Sequence, residues 1–211
     1  MKAIGLLGGT FNPVHYGHLR MAQELAEMLE LSEVRFIPAA IPPLKTSPAA
    51  SAEHRANMVR LAIEDNPLFQ LDTRELTRKG PSYTIDTLIS LREELEPETR
   101  LVLFMGTDAF RQLDKWHRWQ ELLNYCHIAL VQRPHAIREA LSKTLEAYLA
   151  AHYAEQNHEL QDASSGYITM QPMTALDISS TAIRQRLQQG LSVRYLVPKN
   201  VIDYLQQHAL Y

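Results

Sequence analysis

A doubly wound α/β fold, a parallel sheet covered by helices on both faces, is what this chain predicts. Three observations carry that expectation. Short β-rich apolar runs alternate with stretches of helical spacing along the sequence, the pattern of strands joined by crossover helices. The runs KAIGLL and LVLFMG read as buried strands. The 211 residues, 45% hydrophobic and 21% charged, suffice for one sizeable core. With right-handed crossovers the result is a Rossmann-like sheet, read as one domain over residues 1–211 with a small C-terminal helical subregion from about residue 177. Strand order is not legible at this level.

The elements follow in order. Residues 4–7 form the first strand, and Leu19, Ala22, Leu25, Ala26 and Leu29 then fall on one helical stripe. Residues 34–37 form a second strand, ended by the proline-rich PAAIPPLKTSP. A helix over 52–64 carries Ala56, Val59, Ala62 and Ile63 on one face. A short strand at 68–71 follows Asn66-Pro67, and a helix over 84–95 precedes the strongest strand, 101–106. A shorter helix leads into the strand 127–132. A helix over 136–154, a polar surface loop over 152–166, a strand at YITM and two short helices complete the chain.

Composition narrows the function. A net charge of −3 gives no broad basic field, so neither nucleic acid nor an anionic membrane is an expected partner. The single cysteine, Cys126, excludes an internal disulfide framework and an all-cysteine metal site, and suits a reducing compartment. The apolar stretch in MKAIGLLGG is too short for a signal peptide, and no run approaches a membrane span. A cytoplasmic location is the expectation, with a homo-oligomer left open.

The chemistry concentrates in GGTFNPVHYGH, residues 8–18. Gly8 and Gly9 end the first strand without Cβ atoms, which lets the backbone turn and approach a ligand closely. Thr10 and Phe11 continue the loop and Pro13 stiffens it. His18 falls in the first helical turn, where N–H groups and the helix dipole favour an anion, and His15 can face the same point. Two imidazoles aimed at one spot suit a phosphate that gains charge during reaction. Either histidine alone would read as a surface or capping residue; the pair after Gly-Gly and a proline reads as a site. A zinc reading lacks further ligands at recognisable spacing, and the GxGxxG and Gly-Lys-Ser/Thr fingerprints are absent. Near the other end, DISSTAIRQRL places Ser179, Ser180 and Thr181 at a helix start with Arg184 one turn on. Hydroxyls, N–H groups and a guanidinium are a receptor for terminal phosphates.

Together GGTFNPVHYGH and ISSTAIR resemble the nucleotidyltransferase superfamily whose motifs are (T/H)xGH and ISSTxxR. IPPLK, GPSYTIDTL, FMGTDAF, KWHRW and VQRP, in that order, are similar to the bacterial nicotinate mononucleotide adenylyltransferases over nearly the whole chain. The resemblance implies transfer of AMP from ATP to nicotinate mononucleotide, giving deamido-NAD and pyrophosphate. It places Gly8, Gly9, Thr10 and Phe11 along the nucleotide cleft. His15 and His18 fall on the ATP phosphates, with His18 stabilising the transition state. Lys45 falls on phosphate, Gly106 and Asp108 on the ATP ribose, and Arg133, Ser180, Thr181 and Arg184 on the rest of the nucleotide. On the acceptor side it implies Trp116 against the pyridine ring, with Trp119 three residues away as the other candidate. Tyr83, Thr84 and backbone N–H groups near Ile85 and His117 would surround the carboxylate and phosphate. Magnesium is expected on the ATP phosphates, with no protein metal site.

Two positions depart from the family pattern: Asn12 stands where Asp is usual, and Leu44 where His is usual before Lys45. A loop-shaping role at position 12 survives the change; at position 44 Lys45 is left to make the contact. Rival readings are a relative acting on nicotinamide mononucleotide or phosphopantetheine, a class I aminoacyl-tRNA synthetase fragment, disfavoured by the lack of a KMSKS stretch, and a non-catalytic nucleotide sensor.

Overall fold

The computed structural model describes residues 2–42, 48–131, 140–174 and 176–211. Six parallel strands form one sheet: β1 (Ala3–Gly9), β2 (Glu33–Pro38), β3 (Phe69–Leu71), β4 (Arg100–Gly106), β5 (His127–Val131) and β6 (Ile168–Gln171). Their order is β3-β2-β1-β4-β5-β6, so the winding reverses between β1 and β4. Such a reversal parts the loops at the carboxyl ends of the two central strands and opens a crevice there.

Alternate strand residues feed two separate cores. Ala3 and Leu7 of β1, Val34 and Phe36 of β2 and Val102 and Phe104 of β4 point to one face. There they meet α1 (Tyr16–Met28), α2 (Ala52–Ile63), α7 (Ser180–Gln188) and α8 (Lys199–Gln207). Ile4, Leu6, Leu101, Leu103 and Met105 point to the other. They meet α4 (Thr84–Glu94), α5 (Thr107–Phe110) and α6 (Lys143–His152). A strand buried on both faces has no room for an alternating polar set, which is why these runs are apolar throughout.

Most element boundaries fall within a residue or two of the sequence reading. The exceptions are instructive. The helix expected from Ala136 begins at Lys143, where Ser142 accepts a hydrogen bond from the Leu145 N–H and caps it; residues 132–139 lie outside those described. The segment expected as a polar loop over 152–166 contains a 3-10 turn, Asn157–Gln161, that buries Leu160. The helix before β5 is also 3-10, Trp119–Asn124. Two one-turn helices, α3 (Arg74–Thr77) and α5, carry too few residues to show a periodicity. Among the described residues no helix is long and apolar enough to cross a membrane.

Candidate active site

A cleft of about 640 Å³ opens at the carboxyl ends of β1 and β4, at the winding reversal. Gly8, Gly9 and Thr10 wall one side, Tyr83 and Thr84 from the start of α4 a second, and Trp116 and His117 a third.

β1 runs straight through Gly8 and Gly9, and neither has a positive φ. The absent side chains therefore serve space rather than a sharp bend. A Cβ on Gly8 would meet nothing within 4 Å, so the strand edge stays open toward the cleft, while one on Gly9 would stand 3.0 Å from the Phe11 ring. Phe11 itself is buried, in the left-handed region at φ 50, and sits behind the site: its ring meets the edge of His18 at 5.1 Å.

His15 is the residue before α1 and His18 lies in its first turn; the two rings stack at 3.8 Å between centroids. The sequence spacing thus does bring both imidazoles to one point. Gly17, between them, was not singled out in the sequence. A Cβ there would stand 3.0 Å from His15 Nδ1 and 3.6 Å from the Ile178 Cβ. The HxGH spacing is the signal, since the position facing a ring stack admits only hydrogen.

The ISSTAIR segment arrives from the far end of the chain and grips the same loop. Ser179 caps α7 by accepting from the Ala182 N–H at 3.2 Å. Ser180 Oγ donates to the Pro13 carbonyl at 2.9 Å, and Arg184 Nη1 donates to the Asn12 carbonyl at 2.8 Å. Arg184 Nη2 also donates to Thr181 Oγ1 at 3.3 Å, and Thr181 is exposed. Ser180 and Arg184 are therefore tied first to the loop that carries the histidines. Asn12 uses its side-chain carbonyl as an acceptor for the Ala50 N–H at 3.4 Å and the Tyr211 hydroxyl. That is a loop-shaping task for which no charge is needed.

On the opposite wall, α4 points its N-terminus at the cleft, with Tyr83 as the residue before it. The Tyr83 and His117 rings lie 4.5 Å apart. The Ile85 side chain is fully buried in the second core, so only its backbone belongs to this end. The two tryptophans separate: Trp116 lines the cleft, whereas Trp119 packs edge-on against Tyr148 at 4.9 Å. Arg118, left-handed at φ 51 between them, turns the chain so that they do not share a face.

Glu75 is a buried carboxyl in the floor of the cleft and went unremarked in the sequence. Burial pushes it above the ordinary glutamate value, with the Thr87 and Ser82 hydroxyls pulling the other way. Thr87 Oγ1 donates to it at 2.7 Å. Ser82 Oγ in turn accepts from the Ala40 N–H at 2.9 Å, which fixes the rim of the cleft. Gly106 precedes α5, and a Cβ there would meet open space; Asp108 is exposed and pairs with Arg111 at 3.1 Å. Neither borders the cleft as closely as their neighbours Met105 and Ala109, which line it. Lys45 and Arg133, with Leu44, lie outside the described residues.

Residues 6–186 match the cytidylyltransferase-like family. The chain is 48% identical over 210 residues to the "probable nicotinate-nucleotide adenylyltransferase" of Pseudomonas syringae pv. tomato, covering 100% of this chain and 94% of that one. It is 47% identical over 201 residues to the protein of the same name from Halorhodospira halophila, covering 95% and 91%. The fold is also that of a Plasmodium falciparum nicotinic acid mononucleotide adenylyltransferase solved with NaAD, at a TM-score of 0.74 and 17% identity over 100% of this chain and 98% of that one. The chain belongs to the cytidylyltransferase-like family and, within it, to the nicotinate-nucleotide adenylyltransferases.

Proposed function

We propose that the protein transfers the adenylyl group of ATP to nicotinate mononucleotide, releasing pyrophosphate and forming nicotinate adenine dinucleotide for NAD biosynthesis. The observation that carries this is the glycine-cleared end of β1: it lines a cleft that Trp116 and the start of α4 also border, and the loop that follows it carries the stacked pair His15 and His18. The names of relatives at 47–48% identity support the same reaction.

The phosphate of the mononucleotide is already an anion at neutral pH, so it attacks the α-phosphorus in line without a protein nucleophile or base. The work left to the protein is alignment and charge neutralisation. His18 and His15 take the phosphates of ATP, with Gly8, Gly9 and Thr10 admitting the chain of phosphates close to the backbone. Phe11 acts from behind by holding His18, and Ser180, Thr181 and Arg184 stand on the same side. Gly106 and Asp108 take the ribose, with Lys45 and Arg133 completing the contacts. Trp116 carries the pyridine ring, while Tyr83, Thr84 and the N–H groups about Ile85 and His117 receive the carboxylate and phosphate. Donors there accept an acid and clash with the NH₂ of an amide.

Magnesium enters as part of the substrate, Mg-ATP. A cation of this kind is held chiefly by the phosphate oxygens and water. The test is pyrophosphate release from Mg-ATP with nicotinate mononucleotide and with nicotinamide mononucleotide as acceptor. Fast release with the acid and slow release with the amide is expected. Equal rates would remove the carboxylate pocket from the account, and release with neither would remove the reaction.

A further inference from the structure

We infer that Arg55 and Tyr211, both outside the cleft, are positioning residues that set the phosphate loop for the ATP half of the reaction. The inference rests on the assignment of that loop to ATP.

Arg55 stands on α2 and is 1% exposed, yet among the described residues no carboxylate pairs with it. A buried guanidinium without a counter-ion carries a desolvation cost, and burial does pull Arg55 below the ordinary arginine value. Arginine keeps its charge even so. Its fork is spent on carbonyl oxygens instead. Nη1 donates to Thr10 at 2.8 Å, Nε to Ala50 at 3.3 Å and Nη2 to Ala40 at 3.4 Å. Three stretches of chain are thereby joined at one cation: the loop after β1, the end of the β2 rim and the approach to α2. Ala40 and Ala50 bracket the segment that holds Lys45.

Tyr211 closes the arrangement from the other direction. The chain after α8 turns back through Ala209 at φ 47, and the Tyr211 hydroxyl donates to the Asn12 side-chain carbonyl. Burial holds this phenol well above the ordinary tyrosine value, against the pull of Arg184 and Arg55, so it remains a donor. Asn12 then takes donors from Ala50 and Tyr211 on its side chain and from Arg184 on its backbone.

The consequence for the reaction follows from peptide geometry. In a trans peptide the C=O and N–H point in opposite directions. Holding the Thr10 carbonyl by Arg55 and the Pro13 carbonyl by Ser180 turns the Phe11 and Val14 N–H groups to the other side of the loop. The same tethers fix where Val14 hands over to His15. Arg55 also leaves a positive charge behind a loop that receives polyanions, and its hydrogen bonds among the described residues go to Thr10, Ala50 and Ala40 rather than to the rings of the aromatic wall.

The experiment is steady-state kinetics on Tyr211→Phe and Arg55→Lys, varying Mg-ATP and the mononucleotide separately, with a thermal melt and a direct calorimetric titration of ATP on each protein. Tyr211→Phe removes one hydroxyl; Arg55→Lys keeps the charge and loses the fork. The KM for Mg-ATP should rise about threefold in Tyr211→Phe and about tenfold or more in Arg55→Lys, with the mononucleotide KM within about twofold of the parent. Calorimetry should show the same weakening for ATP. A lowered melting point with unchanged kinetics and ATP affinity would make the two residues merely structural and overturn the inference, as would equal rises in both KM values. Should Arg55→Lys fail to fold, Tyr211→Phe decides alone. Should the parent release no pyrophosphate, the proposed reaction fails, and the calorimetric comparison still judges the positioning role.

Discussion

The histidine loop and the aromatic wall of the cleft are held in place by different balances of the same contacts. At the histidine end, cationic and hydroxyl side chains reach from two elements distant in sequence, α2 and α7, to backbone carbonyls: Arg55 to Thr10, Arg184 to Asn12 and Ser180 to Pro13. At the aromatic end, side chains mainly hold one another, Thr87 and Ser82 around the buried Glu75 and Tyr83 on His117, with Arg78 and Ser82 also reaching the backbone of Tyr83 and Ala40. The first arrangement fixes a backbone and keeps positive charge behind it. The second shapes an aromatic wall, with Lys115 beside Trp116, whose buried carboxyl Glu75 is pushed by burial toward its uncharged form. Under the proposed function a triphosphate and an aromatic acid occupy those two environments, which one sheet brings side by side because its winding reverses between β1 and β4.

That contrast can be broken most sharply at the histidine end. His18→Ala should lower kcat by about 10²–10⁴-fold with little change in the melting point, because the charge that develops in the transition state loses its partner. Near-normal turnover would take His18 out of that role and leave the loop as a binding element alone.

A second test separates the fold from either end. His127 is fully buried on β5; its Nδ1 accepts from the Tyr167 N–H at 3.1 Å and its Nε2 lies 3.0 Å from the Ala163 carbonyl. Those partners fix the neutral tautomer with its proton on Nε2. Burial, aided by Arg100 and Arg92, pulls its pKa down to about 4. The unfolded chain takes up this proton near pH 6.5, the folded one only near 4. The contribution to stability is therefore full above pH 6.5 and is lost as pH falls through that window, on the order of 3 kcal/mol in all. Denaturant titrations between pH 7 and 4 on the parent and on His127→Gln should show a flatter pH dependence in the variant. An unchanged slope would clear His127. Such a loss strikes both ends together, so pH effects on ATP affinity alone must come from elsewhere.

The smallest effect belongs to the aromatic wall. Trp116→Ala should raise the mononucleotide KM about tenfold and leave the Mg-ATP KM close to the parent value. Trp119→Phe, on the Tyr148 side, should move neither. A rise in the Mg-ATP KM for Trp116→Ala would show that the two ends are not separable.

The same contrast explains what the sequence could reveal. Strands with continuous apolar runs and helices with a clean stripe were legible, and so was the convergence of His15 and His18, because a strand-to-helix loop is local. Reversal of the winding was not, since strand order is a tertiary choice. Arg55 passed unnoticed although it lies four residues before Val59 on the buried stripe of α2. An arginine on a helix reads as solvated unless its partners are known, and here they are carbonyls from remote segments. Tyr211 was invisible for the same reason: 199 residues separate it from Asn12. Glu75 sits on a helix of one turn, too short to announce a face. The pairing of Trp116 and Trp119 could not be resolved by spacing, because a single left-handed residue, Arg118, decides which side each one takes.

The carbonyl tethers behind the histidine loop also bear on how the protein meets changes in ionic strength. At about 0.15 M salt, charges more than about 8 Å apart in solvent are largely screened, and exposed pairs such as Lys199–Asp203 fade with added electrolyte. Arg55 is shut away from mobile ions and bound to dipoles that carry no net charge. Under the proposed function, added salt weakens the attraction that draws a polyphosphate toward the cleft, while the loop tethered by Arg55 keeps its shape.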